Sequence, residues 1–148
     1  MNDKLKVAGK VGGIYSQKTK DYNEMENTLK IAQRNGGGGD GPENNVEAIL
    51  EGIKLYPDCR EIIMIADNWA TPRDLALLKN VKIPVHIILC GSNSGVNTDY
   101  LNMAMKTGGS IHTIEKDIVK LTGFLEGQVL EINNQKFQIK SGEFRLLN

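Results

Sequence analysis

The sequence predicts an α/β fold. It reads as a Rossmann-like doubly wound, mostly parallel sheet with helices on both faces, followed by a small antiparallel β-meander. Three observations carry this. Residues 61–66 and 83–89 are short, isoleucine-rich, mostly apolar runs, the writing of parallel strands buried on both faces. Segments of helical period alternate with them, and helix–strand alternation builds a parallel sheet. From Gln128 the period drops to two, with Asn133-Asn134 and Ser141-Gly142 as turn signals between short strands. The expected domains are therefore 1–125, the α/β unit, and 126–148, the meander.

In chain order, residues 4–15 place Leu5, Val7, Val11 and Ile14 among glycines and predict a weak strand or edge hairpin. A helix over 23–34 follows, with Met25, Leu29 and Ala32 on one face and Ile31 beside it. The next helix carries Val46, Ile49, Leu50 and Ile53 at i, i+3, i+4 and i+7, and stops near Tyr56-Pro57. The strand of residues 61–66 ends at Asp67-Asn68-Trp69. Thr71-Pro72-Arg73-Asp74 has the cap, the first-position proline and the acid of a helix start. The second buried strand ends in the polar loop Cys90-Gly91-Ser92-Asn93-Ser94. Asn97 or Thr98 caps a helix with Tyr100, Leu101, Ala104 and Met105 on one face, closed by Gly108-Gly109. Residues 110–113 predict a short strand, and Ile114, Ile118, Leu121 and Leu125 a last helix.

Composition narrows the function classes. The 148 residues carry 18 basic and 18 acidic side chains, so no basic face is implied and nucleic acid is not an expected partner. No apolar run reaches membrane-span length, and the N-terminus lacks a signal peptide's apolar core, which predicts a cytoplasmic location. Cys59 and Cys90 form no CxxC pair. His86 and His112 sit inside strand-like runs with no metal-ligand spacing and read as structural.

Residues 35–45 organise the chain: four glycines, Gly36 to Gly39, then Asp40, Gly41, Pro42 and Glu43 at a helix N-terminus. The loop lacks the Lys and Ser/Thr of a P-loop, and its carboxylates repel phosphate. They attract a hard cation such as Mg²⁺, or they simply favour the helix N-terminus with no ligand. In doubly wound sheets ligands bind outside the carboxyl ends of the strands, and right-handed crossover would bring Asp40, Glu43 and Asp67 to one edge. The polar loops there nominate Asn68, Trp69, Ser92 and Asn93 as a binding surface, while Trp69 reads equally as a core plug over the strand end.

The glycine loop with Asp40-Gly-Pro-Glu43, the amphipathic helix and the strand ending in Asp67 together resemble the von Willebrand factor A domain family, many of whose bacterial members carry a GGGD-x-PE loop. Ala104-Met-Lys-Thr-Gly-Gly-Ser-Ile-His112 resembles that family's A-x-x-T-G-G segment. The resemblance covers about residues 12–121, the family's C-terminal two-thirds. It implies a protein-binding or adhesion module with a metal-ion-dependent site built from Asp40, Glu43 and Asp67. The family's Asp-x-Ser/Thr-x-Ser motif after the first strand is missing; Ser92-Asn93-Ser94 has the serine spacing but follows the wrong strand. Mg²⁺, or Mn²⁺ or Ca²⁺, is therefore expected to bind weakly or not at all. The chain begins near the family's third strand, so an unpaired sheet edge, a template for self-association, is expected. Two alternatives stay open: a metal-free interaction fragment of a larger assembly, and a metal-dependent hydrolase. No nucleophile–base pair is legible, and an enzyme is not expected.

Overall fold

The computed structural model describes residues 13–35 and 41–147. The expected strand over 4–15 falls mostly outside the described residues. The chain divides into two compact units, Met1–Cys59 with Pro72–Asn80, and Arg60–Thr71 with Val81–Asn148.

In the first unit, helix α1 (Tyr22–Asn35) opens on Asp21, whose Oδ1 accepts from the backbone N–H groups of Asn23 (2.8 Å) and Glu24 (3.1 Å). Its apolar side chains Met25, Leu29 and Ile31 are exposed. Helix α2 (Asn45–Leu55) has no side-chain cap from Asn44. Asp74 supplies it from 28 residues away: its carboxylate accepts from the N–H groups of Val46 (3.2 Å) and Glu47 (2.7 Å). The helix expected to begin at Thr71-Pro72-Arg73-Asp74 is instead a 3-10 turn, Leu75–Asn80. The acid that would have served that helix's first turn is spent on α2. Arg73 straps the turn down through its N–H to the Glu43 carbonyl (3.0 Å) and its guanidinium to the Pro42 carbonyl (Nε, 3.1 Å).

The second unit holds two sheets around helix α3 (Thr98–Thr107). Strands β1 (Ile62–Asp67), β2 (Val85–Cys90), β3 (Ile111–His112) and β4 (Asp117–Ile118) form a mixed sheet in that order, parallel from β1 to β3 and antiparallel between β3 and β4. Strands β5 (Val129–Ile132), β6 (Gln135–Lys140) and β7 (Glu143–Leu147) form a separate antiparallel meander. The fold is thus mixed α/β with an appended antiparallel sheet.

The parallel sheet is buried on one face. Met64, Ala66, Val85, Ile87, Leu89 and Ile111 form the buried layer with Leu101, Met103 and Ala104 of α3. Alternate residues project to the other face, where Ile63 is 68% and Ile65 71% exposed. The expectation of strands buried on both faces is therefore corrected: among the described residues only the inner face is covered.

The Thr-Gly-Gly segment closes α3 onto β2. Thr107 Oγ1 donates to the carbonyls of Met103 (2.9 Å) and Ala104 (3.2 Å) and accepts from the Val85 N–H (3.2 Å). Gly108 is left-handed at φ 75°. A Cβ on Gly109 would stand 1.9 Å from the Val85 carbonyl oxygen, so only glycine lets the backbones approach. The helix expected over 114–125 is not formed. Thr113 turns the chain, its Oγ1 accepting from the N–H groups of Glu115 (3.3 Å) and Lys116 (3.0 Å), and β4 returns beside β3. Ile118 and Leu121 are buried, Ile114 and Leu125 exposed, so half of the helical pattern has no core to face.

No helix among the described residues is long and apolar enough to cross a membrane.

Candidate functional site

The carboxyl ends of β1 and β2 carry two adjoining clefts. One is lined by Asp67, Asn68, Trp69, Gly91 and Ser94. The other runs over the end of β2 toward β3 and is lined by residues 88–93 and 112–114. Gly91 belongs to both. It is left-handed at φ 71°, which turns the chain at the end of β2 into the short 3-10 turn Ser92–Ser94.

The loop after β1 is pinned by its own side chains. Asp67 Oδ1 accepts from the Trp69 N–H at 3.1 Å. Asn68 spends both ends of its amide: Nδ2 donates to the Gly95 carbonyl (2.6 Å) and Oδ1 accepts from the Asn97 N–H (2.7 Å). Thr71 Oγ1 donates to Asp99 (2.6 Å), and the Tyr100 hydroxyl donates to the Ala70 carbonyl (3.3 Å). These bonds tie residues 67–71 to the start of α3. From this platform Trp69, the only tryptophan of the chain, projects at 84% exposure. Asp67 is exposed beside it, and among the described residues no cation pairs with it.

The sequence-predicted residues are distributed as follows. Asp40 lies outside the described residues. Glu43, exposed, belongs to the first unit, and Asp67 to the second. Asn68 and Trp69 share a cleft with Asp67. Ser92 and Asn93 line the neighbouring cleft; Asn93 is exposed, and Ser92 is buried with its Oγ lacking a hydrogen-bond partner. Among the described residues no group of three or more His, Cys, Asp and Glu side chains is placed to hold a metal ion.

A second constellation on the outer face of the sheet was not legible in the sequence. Strand register sets His86 beside Ser110, and strand alternation sets Ser110 and His112 on the same face. Ser110 Oγ lies 2.7 Å from His86 Nδ1 and 2.7 Å from His112 Nε2. His112 Nδ1 lies 2.8 Å from Asp117 Oδ1, and His86 Nε2 lies 3.4 Å from Glu61. The bonding requirement assigns the hydrogens. With neutral imidazoles the row has three hydrogens, one per histidine and one on the hydroxyl, for four contacts. His112 Nδ1–H donates to Asp117, Ser110 O–H donates to His112 Nε2, and His86 Nδ1–H donates to Ser110. The contact left without a hydrogen is Glu61–His86, which is the longest of the four. Ser110, His112 and Asp117 follow the order of nucleophile, base and orienting acid. Yet Ser110 is only 3% exposed, held between two imidazoles, and lines neither cleft. The row ties the strands of the sheet together across a face that is otherwise apolar and open.

Known proteins add no assignment: no family model, curated protein or solved structure matches this chain.

Proposed function

We propose that the chain is a von Willebrand factor A-like protein-binding module whose contact surface is the carboxyl edge of its parallel sheet. The observation that carries this reading is the joint presence of Asp67, Asn68 and an 84% exposed Trp69 around one cleft at that edge. A large aromatic side chain held in water by a pinned loop stabilises nothing in the free chain, and such residues are frequent interface anchors. The doubly wound arrangement and the family membership belong to the same reading, supported by the glycine loop, the strand ending in Asp67 and the Thr-Gly-Gly closure of α3 on β2. Any cation response is weak and runs through Asp67, because Mg²⁺ demands several oxygen ligands in octahedral array and the Asn68 oxygen is already committed to the Asn97 N–H. A metal-free interaction fragment is the variant of this reading in which Asp67 contacts the partner directly. Catalysis is not part of it.

Trp69 emission tests the cation part. Titration with Mg²⁺, Mn²⁺ and Ca²⁺ should give a small saturable change that Asp67→Ala abolishes. A change that survives Asp67→Ala refutes the site, and no change at all selects the metal-free variant. A photo-crosslinker placed at position 69 tests the surface. It should trap a defined protein that the same crosslinker at Lys136, on the separate meander, does not trap. Equal trapping at both positions sinks the proposal.

A further inference from the structure

We propose that the Asp67–Trp69 cleft receives an arginine side chain of the partner protein, the guanidinium lying against the indole and paired with the carboxylate. This rests on the reading of the edge as a protein-binding surface and names the chemistry it selects. The cleft is lined by one formal charge, the Asp67 carboxylate, together with an indole, an amide and a hydroxyl; Lys and Arg are absent from its lining. Asp67 has no ion pair among the described residues, so its charge is uncompensated at the mouth of the cleft. One carboxylate oxygen accepts from the Trp69 N–H, which fixes the carboxylate and the aromatic residue in one turn. The second oxygen remains available to an incoming donor.

The choice among cations follows from the donor set. A hard divalent ion needs several oxygens, and this cleft offers one ionised group with its neighbouring amide already satisfied at both ends. An ammonium is compact and strongly hydrated and gains little from a flat face. A guanidinium is planar, is more weakly hydrated, stacks on aromatic rings and presents several N–H donors to a carboxylate. Trp69 supplies the ring and Asp67 the acceptor. The bonds from Asn68, Thr71 and Tyr100 hold the loop in place beforehand, so little ordering remains to be done on binding.

The test uses the whole chain, ¹⁵N-labelled, titrated separately with N-acetyl-arginine amide, its neutral isostere N-acetyl-citrulline amide, and MgCl₂. Arginine should give saturable shifts confined to the amides of residues 67–69, Gly91 and Ser94 and to the Trp69 indole N–H. Citrulline should give none. Asp67→Asn should weaken the arginine response about tenfold or more, and Trp69→Ala should remove it from the remaining amides, consistent with losing a charge-assisted bond or the stacking face. Both side chains are exposed, so the variants keep the wild-type spectrum elsewhere. Equal shifts with citrulline, or an arginine response unchanged in both variants, overturn the assignment. Saturable Asp67-dependent shifts with Mg²⁺ and none with arginine overturn it in favour of an ion site. The two readings fail separately: a partner trapped at position 69 with no arginine response removes the guanidinium alone, and an arginine response with no selective trapping removes the module.

Discussion

Asn102 on α3 joins the helix to the meander, and replacing it with alanine should be among the costliest single changes outside the apolar core. The backbone geometry explains why. In the central strand β6, Ile139 directs its N–H to the Gln128 carbonyl (3.0 Å) and its carbonyl to the Gly127 N–H (2.9 Å), both on the β5 side. Ile139 faces Phe144 of β7, so this is a non-hydrogen-bonded antiparallel pair, and the N–H and carbonyl of Phe144 point away from the sheet. At that buried edge water cannot satisfy them. Asn102, 8% exposed, does so with one amide: Phe144 N–H donates to Oδ1 at 2.8 Å, and Nδ2 donates to the Phe144 carbonyl at 3.2 Å. Asn102→Ala leaves both backbone groups unpaired, at about 1–3 kcal/mol each, so a total loss of about 2–6 kcal/mol is expected. Urea denaturation followed by far-UV circular dichroism measures it, and hydrogen exchange at the Phe144 amide localises it. A loss below about 0.5 kcal/mol, within the range of an ordinary surface substitution, with Phe144 protection unchanged, would show that the edge finds other partners and refute the argument.

Three further outcomes follow from the same physics. Gly109→Ala forces a Cβ into the Val85 backbone and should cost about 3 kcal/mol or more, read as a fall in urea midpoint; a wild-type midpoint would mean the α3–β2 closure is looser than the 1.9 Å approach implies. Ser110→Ala leaves His86 Nδ1 and His112 Nε2 facing each other without the bridging hydroxyl and should destabilise the sheet by about 1–3 kcal/mol, with changed imidazole ¹⁵N shifts at both histidines. The two acids respond to pH in opposite senses. Burial pushes the Asp74 carboxyl up from 3.8, against the pull of the Glu47 and Val46 N–H groups, so the folded first unit holds that proton more tightly than the unfolded chain does. Its contribution is therefore full below 3.8 and is lost as pH rises through the folded value. Lys106 beside Glu143 holds that carboxyl below 4.5, so its contribution is full above 4.5 and is lost as pH falls through the folded value. Hydrogen exchange at Val46 and at Phe144 across pH 3–7 should show these opposite slopes, each flattened by Asp74→Asn or Glu143→Gln respectively. The same slope in both units would contradict the assignment.

What the sequence alone determined is whatever depends on neighbours along the chain. The helix of Tyr100, Leu101 and Ala104 has its Asn97 cap and its left-handed Gly108 close, because capping is a contact between residues two to four apart. Residues 128–147 spell their own strands and turns: Asn133, Asn134 and Ser141 adopt positive φ where the turn signals stand. Asp67, Asn68 and Trp69 are adjacent, and the end of an apolar strand was enough to bring them to one edge.

Only the tertiary structure decided the rest, and each case involves a partner chosen across space. The acid in Thr71-Pro72-Arg73-Asp74 reads locally as helical, yet Asp74 caps α2 from 28 residues away, and the local helix gives way to a 3-10 turn. Ile114 and Leu125 keep helical spacing, but the buried layer accepts only Ile118 and Leu121. An isoleucine-rich run carries the same letters whether one face or two are covered, and Ile63 and Ile65 are left in water because coverage belongs to the neighbouring layer. His86 and Ser110 are 24 residues apart, and a shift of one residue in the β2–β3 register would separate them. Periodicity records which side of a strand a residue occupies; register and layering determine what it meets there.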